Sequence, residues 1–168
     1  MIRLVRPTVE VLDAAVAGDD ALSRVLGCDV VTGWATFREA LQVTRDALLA
    51  DPDNASWGTR FFVTDHPSEL VGWGGFKGPP TGGRVEIGYE IAEARQGRGL
   101  ATAAARAMVA EAFADPGVAE VVAHTLPEHN ASNAVLEKLG FRHDGEEQED
   151  EQTVWRFTVL RPHRVAGG

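Results

Sequence analysis

The sequence predicts a mixed α/β fold around a largely antiparallel sheet. Three observations carry that prediction. Segments with two-residue periodicity alternate with segments of helical periodicity. Three strand-like runs follow one another between Thr59 and Ile91 with only turn residues between them. The third run leads through a glycine loop into an alanine-rich helix.

The first element is "IRLVR", which alternates apolar and charged residues ahead of Pro7 as a strand does; Val9, Leu12 and Val16 then recur at helical spacing, predicting a short helix. From Thr32, "TGWATFREALQVTRDALLA" sets Trp34, Phe37, Leu41 and Leu48 on one helical face, so a helix is expected from there to the Asp51-Pro52 pair. "TRFFVT", "LVGWGGF" and "RVEIGYEI" are separated by a turn at Asp65 to Glu69 and by "KGPPTGG", and they read as three antiparallel strands. The alanine-rich helix runs from the glycine loop to about Asp115-Pro116-Gly117. "AEVVAHT" then supplies a strand and "NASNAVLEKL" a helix, ended by Gly140 with Phe141 packed back on its last turn. The acidic run "HDGEEQEDEQ", His143 to Gln152, reads as a solvated hairpin between the last two strands, the final one being "TVWRFTVL". No repeat, low-complexity tract or linker divides the chain, so a single domain over residues 1–168 is expected.

Composition narrows the partners. A formal charge of −9 would repel nucleic acid and anionic membrane surfaces, and it suits a cationic or small amine partner. Cys28 stands alone, so the chain holds no disulfide framework and no multi-cysteine metal site. The N-terminus lacks a leader-like apolar core, and no apolar run reaches membrane-spanning length; a cytoplasmic location is expected. The five histidines show no metal-ligand spacing, His124 reads as a structural strand histidine, and no metal is expected.

The chemistry centres on "ARQGRGLATAAARA", Ala94 to Ala107. Glycine weakens a helix, yet Gly97 and Gly99 stand directly before one of the best helix-forming runs in the chain. At such a junction the first helical N–H groups lack intrahelical acceptors and carry the positive end of the helix dipole, which suits a phosphate. Glycines let a diphosphate approach the backbone, Arg98 adds a charge and Thr102 a hydroxyl. The loop has neither the GK[ST] of a P-loop nor a G-x-G-x-x-G dinucleotide signature, so a different phosphate ligand is required.

"QGRGLA", Gln96 to Ala101, resembles the Q/R-x-x-G-x-G/A signature of the GNAT superfamily of acyl-CoA-dependent N-acetyltransferases. Upstream, "VEIGYEIAEARQGRGLAT" resembles that family's fourth strand and CoA loop; downstream, "NASNAVLEKLGF" resembles its second conserved segment. The flavour is similar to the ribosomal-protein N-terminal acetyltransferase (Rim-type) branch. The resemblance implies a twisted, mostly antiparallel sheet whose fourth and fifth strands splay apart around acetyl-CoA. The loop residues Gln96, Gly97, Arg98, Gly99, Leu100, Ala101 and Thr102 would hold the CoA diphosphate. The N–H of Ile91 would polarise the thioester carbonyl.

Transfer would proceed by direct attack of a primary amine in a ternary complex. A base is needed, and the two-residue period puts Glu86 and Glu90 on one strand face, with Val85, Ile87, Tyr89 and Ile91 on the other. The family often uses a glutamate early on this strand, which favours Glu86. Ser132 matches a position where relatives place a small residue or a serine that faces the CoA sulfur; either Ser132 or Asn130 also suits a helix cap. Two departures stand out. Leu136 occupies the place of a frequent family tyrosine, and His129 that of the usual asparagine, with Asn130 one position late as a CoA contact. The acceptor is expected to be a protein N-terminus, a metabolite amine or an antibiotic, and the assembly a monomer or homodimer. The alternative is a CoA-responsive binding module of the same fold without catalysis. Trp57, among Asn, Ser and Gly, is the best loop candidate for an acceptor surface.

Overall fold

A computed structural model describes residues 1–163; the end of the expected single domain, 164–168, lies outside the described residues. The elements run β1 (Ile2–Val5), α1 (Val9–Ala17), α2 (Asp19–Leu26), β2 (Asp29–Val30), α3 (Glu39–Ala50), β3 (Thr59–Asp65), β4 (Ser68–Phe76), β5 (Arg84–Ile91), α4 (Leu100–Ala114), β6 (Glu120–Thr125), α5 (Ala131–Lys138), β7 (Arg142–Glu149) and β8 (Gln152–Leu160). The strands form one sheet in the order β1-β3-β4-β5-β6-β8-β7, and the two-residue β2 pairs with β4. Among the described residues, only the β5–β6 and β2–β4 pairs are parallel. The chain is thus mixed α/β around a mostly antiparallel sheet.

Strand alternation divides the molecule into two cores. Phe61 and Phe62 are adjacent on β3 and both fully buried, yet they point to opposite faces. On one face, α4 lays Ala104, Ala105, Met108 and Ala112 against Val85, Ile87, Val121 and Ala123. Alanine side chains at these fully buried positions let α4 lie close to the sheet. On the other face, α1, α2 and α3 bury Leu12, Leu22 and Leu41 against Phe61, Val63 and Leu70. Those three helices cover the β1-β3-β4 side, while β5-β6-β8-β7 carries a polar surface on that face.

One expectation is corrected and one is extended. The segment from Thr32 is not helical until Glu39. Trp34 is fully buried, donating its indole N–H to Asp19 (3.1 Å), but Phe37 is 64% exposed and shares no face with it. Arg38 also bonds Asp19 and the Ala15 carbonyl, so contacts to α1 and α2 shape this stretch and override its helical spacing. The short helix expected after β1 is α1, and a second helix, α2, follows it across Gly18.

Arg60 is the largest polar group in the interior. It is 1% exposed, donates to the carbonyls of Ala55, Ser56, Gly58 and Thr59, and pairs with Glu111 of α4 at 2.6 Å. Burial works to raise the Glu111 carboxyl, but bonds from Arg60 and Arg6 outweigh it and hold the group below the usual range. The C-terminus of α4 is fixed by Arg161, which donates to the carbonyls of Phe113, Asp115 and Val118. α5 ends as expected: Gly140 is left-handed (φ 88°), and the N–H of buried Phe141 returns to the Leu136 carbonyl at 3.0 Å.

Candidate active site

β5 and β6 pair only from Arg84↔Glu120 to Ile87↔Ala123. Beyond Ile87, β5 remains bonded to β4 through Gly72↔Ile91, so its other edge is free from Gly88 onward. The splay therefore falls between the fourth and fifth strands of the predicted count, which is β5 and β6 here because β2 adds one. The Ala92 N–H bonds the Val71 carbonyl on the β4 side. By alternation, the N–H groups of Tyr89 and Ile91 face the gap.

The gap opens into a cleft of about 390 Å³ lined by Thr36, Tyr89, Glu90, Ile91, Arg95, Gln96, Gly97, Gly99, Leu100, Ala101, Thr102, Ala131, Ser132 and Val135. Most of the residues chosen from sequence meet here. The loop is held by two anchors: the Gln96 amide donates to the Ile91 carbonyl at 3.0 Å, and Arg95 makes a two-bond pair with Glu69 at the start of β4, both 2.8 Å. The bonds from Arg95 hold the Glu69 carboxyl below its usual range. Gly97 and Gly99 both adopt left-handed backbone, φ 74° and 78°, and a β-carbon would meet nothing within 4 Å at either. Glycine is required here by conformation, not by crowding. Gly99 caps α4 without a side-chain bond, and no acidic residue sits in the first turn. The leading N–H groups of α4 therefore have neither an intrahelical acceptor nor a competing carboxylate.

The remaining predicted residues divide. Glu90 lines the cleft, its Oε1 accepting from the Thr36 N–H (2.6 Å) and the Trp73 indole (2.7 Å). Glu86 is on the same strand face, about 13 Å away along the strand, and does not line the cleft. It is paired with Lys77 (2.5 Å) and lies 3.1 Å from His124. Ser132 lines the cleft near the start of α5, while Asn130 caps that helix by accepting the Asn133 N–H at 3.1 Å. Arg98 is exposed beside the cleft and Thr102 is buried in its wall. Trp57 packs edge-on against Phe76 at 5.1 Å.

Sequence reasoning missed Tyr89. The two-residue period assigns this only tyrosine of the chain to the apolar face, and there it lies, but beyond the last β5–β6 pair. Its hydroxyl is enclosed without an aligned hydrogen-bond partner. Burial pushes it up to about 12, against the lowering influence of the Ser132 hydroxyl beside it. Leu136, where the resemblance calls for a tyrosine, is fully buried in the core.

The Acetyltransferase (GNAT) domain model matches residues 2–142. The chain belongs to the GNAT acetyltransferase family. Among its GNAT relatives, the uncharacterized N-acetyltransferase YjdG of Bacillus subtilis is 28% identical over 143 residues, which span 83% of this chain and 85% of that one. The structure of Mycobacterium smegmatis RimJ, in complex with CoA-disulfide, superimposes with a TM-score of 0.68 at 21% identity, covering 95% of this chain and 81% of RimJ. Microcin C7 self-immunity acetyltransferase MccE, in complex with acetyl-CoA and AMP, gives 0.68 at 16% identity, covering 95% and 92%. As a GNAT protein, the chain is an acyl-CoA-dependent acetyltransferase. Among the described residues no helix is long and apolar enough to cross a membrane.

Proposed function

We propose that this GNAT enzyme transfers the acetyl group of acetyl-CoA to a primary amine held with it in one cleft, with Glu90 as the base. The observation that carries the reading is the convergence of a free β5 edge, an α4 N-terminus without a side-chain cap and an oriented carboxylate on a single opening. The amides of Gly97 to Ala101 would take the diphosphate, with Arg98 adding charge from the surface. The edge groups of Tyr89 and Ile91 would bond the pantetheine arm, leaving the Ile91 N–H to polarise the thioester carbonyl.

Glu90 is favoured over Glu86 by access. The Thr36 and Trp73 donors both bind Oε1 and so fix the plane of its carboxylate, leaving Oε2 to accept a proton from the acceptor ammonium directly or through water. Tyr89 and Ser132, which both line the cleft, would serve the departing thiolate. A hydroxyl pushed up to about 12 keeps its proton where a thiol, near 8.5, has begun to lose its own. Tyr89 therefore donates a hydrogen bond to the leaving sulfur instead of surrendering its proton. The acceptor is a protein N-terminus or a small cationic amine, for which the acidic chain provides long-range attraction.

The test is the pH dependence of turnover with saturating acetyl-CoA and an amine panel, for wild type, Glu90→Gln and Glu86→Gln. A primary amine is mostly protonated at neutral pH, so Glu90→Gln should lose most activity at low pH and recover toward wild type as pH approaches the amine's own pKa. An unchanged profile would remove Glu90 as base. The low-pH loss appearing in Glu86→Gln instead would return the role to Glu86.

A further inference from the structure

Away from the cleft, the polar half of the sheet carries an arrangement that acetyl transfer does not use. Glu86 on β5, His124 on β6 and Glu149 at the end of β7 bring one oxygen, one ring nitrogen and one oxygen within 4.8 Å of one another. The His124 side chain is only 7% exposed. Its Nε2 donates to Glu147 Oε2 at 2.7 Å, since a carboxylate only accepts. Glu147 is itself locked by Arg156, whose Nη1 donates to its other oxygen at 2.7 Å. Nδ1 is thereby turned toward Glu86 and Glu149, yet it makes no hydrogen bond to either.

The distances explain why. Nδ1 is 3.1 Å from Glu86 Oε1 and 3.5 Å from Glu149 Oε1, but neither contact has the alignment of an N–H···O bond. Ligands about 2.0–2.2 Å from a tetrahedral metal stand about 3.4 Å from each other, each off the axis of the other's lone pair. Two carboxylate oxygens beside a buried imidazole nitrogen, close but off its axis, have the spacing of a ligand shell. The bond from Nε2 to Glu147 is the outer support that metal-binding histidines use to fix ring orientation.

We propose that Glu86, His124 and Glu149 form a divalent-metal site, with Zn²⁺ the ion that one imidazole and two carboxylates favour. A fourth position stays open to water. The ligands come from three strands, so the ion would fasten the β7–β8 hairpin to the β5–β6 pair. Lys77 is the competing charge. Its ammonium sits 2.5 Å from Glu86 Oε2 on a side chain 56% exposed, free to withdraw as a cation enters; Arg156 stays on Glu147 and Asp144.

The experiment uses tag-free, chelator-stripped protein titrated with ZnCl2 by calorimetry, with a parallel thermal melt. Wild type should bind one Zn²⁺ per chain and melt at a higher temperature with the ion. His124→Gln should weaken binding about tenfold or more and abolish the shift in melting. Glu149→Gln, at an exposed strand end where folding is not at risk, should weaken binding in the same direction. Lys77→Gln should tighten it by removing the competing charge. No heat of binding with Zn²⁺ in excess, or binding unchanged in folded His124→Gln or in Glu149→Gln, overturns the proposal. Acetyl transfer plays no part in the readout, so the outcome is independent of the role assigned to Glu90.

Discussion

Tyr89 shows how one residue's meaning depends on where a neighbouring strand stops. Two-residue alternation correctly assigns it to the apolar face with Val85 and Ile87, but nothing in the sequence marks Ile87 as the last residue paired with β6. Past that point the same face borders the cleft, and a core position becomes a cleft-lining one. Tyr89→Phe retains the ring and removes the hydroxyl. A hydrogen bond to a charged partner contributes about 1.5–3 kcal/mol, so turnover should fall about tenfold to a hundredfold. The KM for acetyl-CoA should change little, because the thiolate develops only during transfer. Steady-state kinetics with a panel-selected amine would check both, and the loss should be uniform across neutral pH, since burial keeps the hydroxyl protonated there. Glu86 and Glu90 give the complementary lesson. Periodicity establishes their shared face, whereas access depends on Lys77, Thr36 and Trp73, whose approach comes from other parts of the chain.

At the scale of elements, the β5–loop–α4 unit was the most legible part of the molecule. A strong two-residue period, two glycines and an alanine run are local signals that need no tertiary information. Gly99 allows a sharp prediction, because a side chain there meets open space and only the backbone resists. Gly99→Val should lower CoA affinity strongly in a folded protein, while Gly99→Asn, which tolerates left-handed backbone better, should retain more of it. Calorimetric titration with CoA distinguishes the two; equal affinities would show that the cap's conformation is not what binds. Elements shaped from afar were less legible. Trp34 and Phe37 have helical spacing, but Trp34 is drawn to Asp19 and into the core beside Phe61, leaving Phe37 in solvent. β2 is two residues long and offers no period to detect. The break at Gly18 divides a segment whose apolar residues continue at helical spacing on both sides.

For the whole molecule, ion pairs link stability to pH in a defined direction. Glu69, Glu111, Asp144 and Glu147 are all held below their usual carboxylate range, with Arg95, Arg60 and Arg156 among the causes. A depressed folded-state pKa contributes stability that is present above the unfolded value, about 4 for Asp and Glu, and is lost as pH falls through the folded one. Denaturant melts should show steady stability at neutral pH and a decline as pH drops below about 4. Glu111→Gln should be less stable than wild type at neutral pH, because it leaves buried Arg60 without its counter-charge, and its decline in acid should be shallower. The division of β5 into two faces also bears on how such a protein can diversify. The loop end of the cleft offers mainly main-chain amides set by left-handed glycines, which few substitutions can imitate. The opposite face carries the proposed base, Glu90, and is bordered by a hairpin rooted in β6 whose β7 side chains are mostly exposed. A descendant can therefore explore new acceptors by changing surface chemistry alone, while inheriting its energy-rich donor intact.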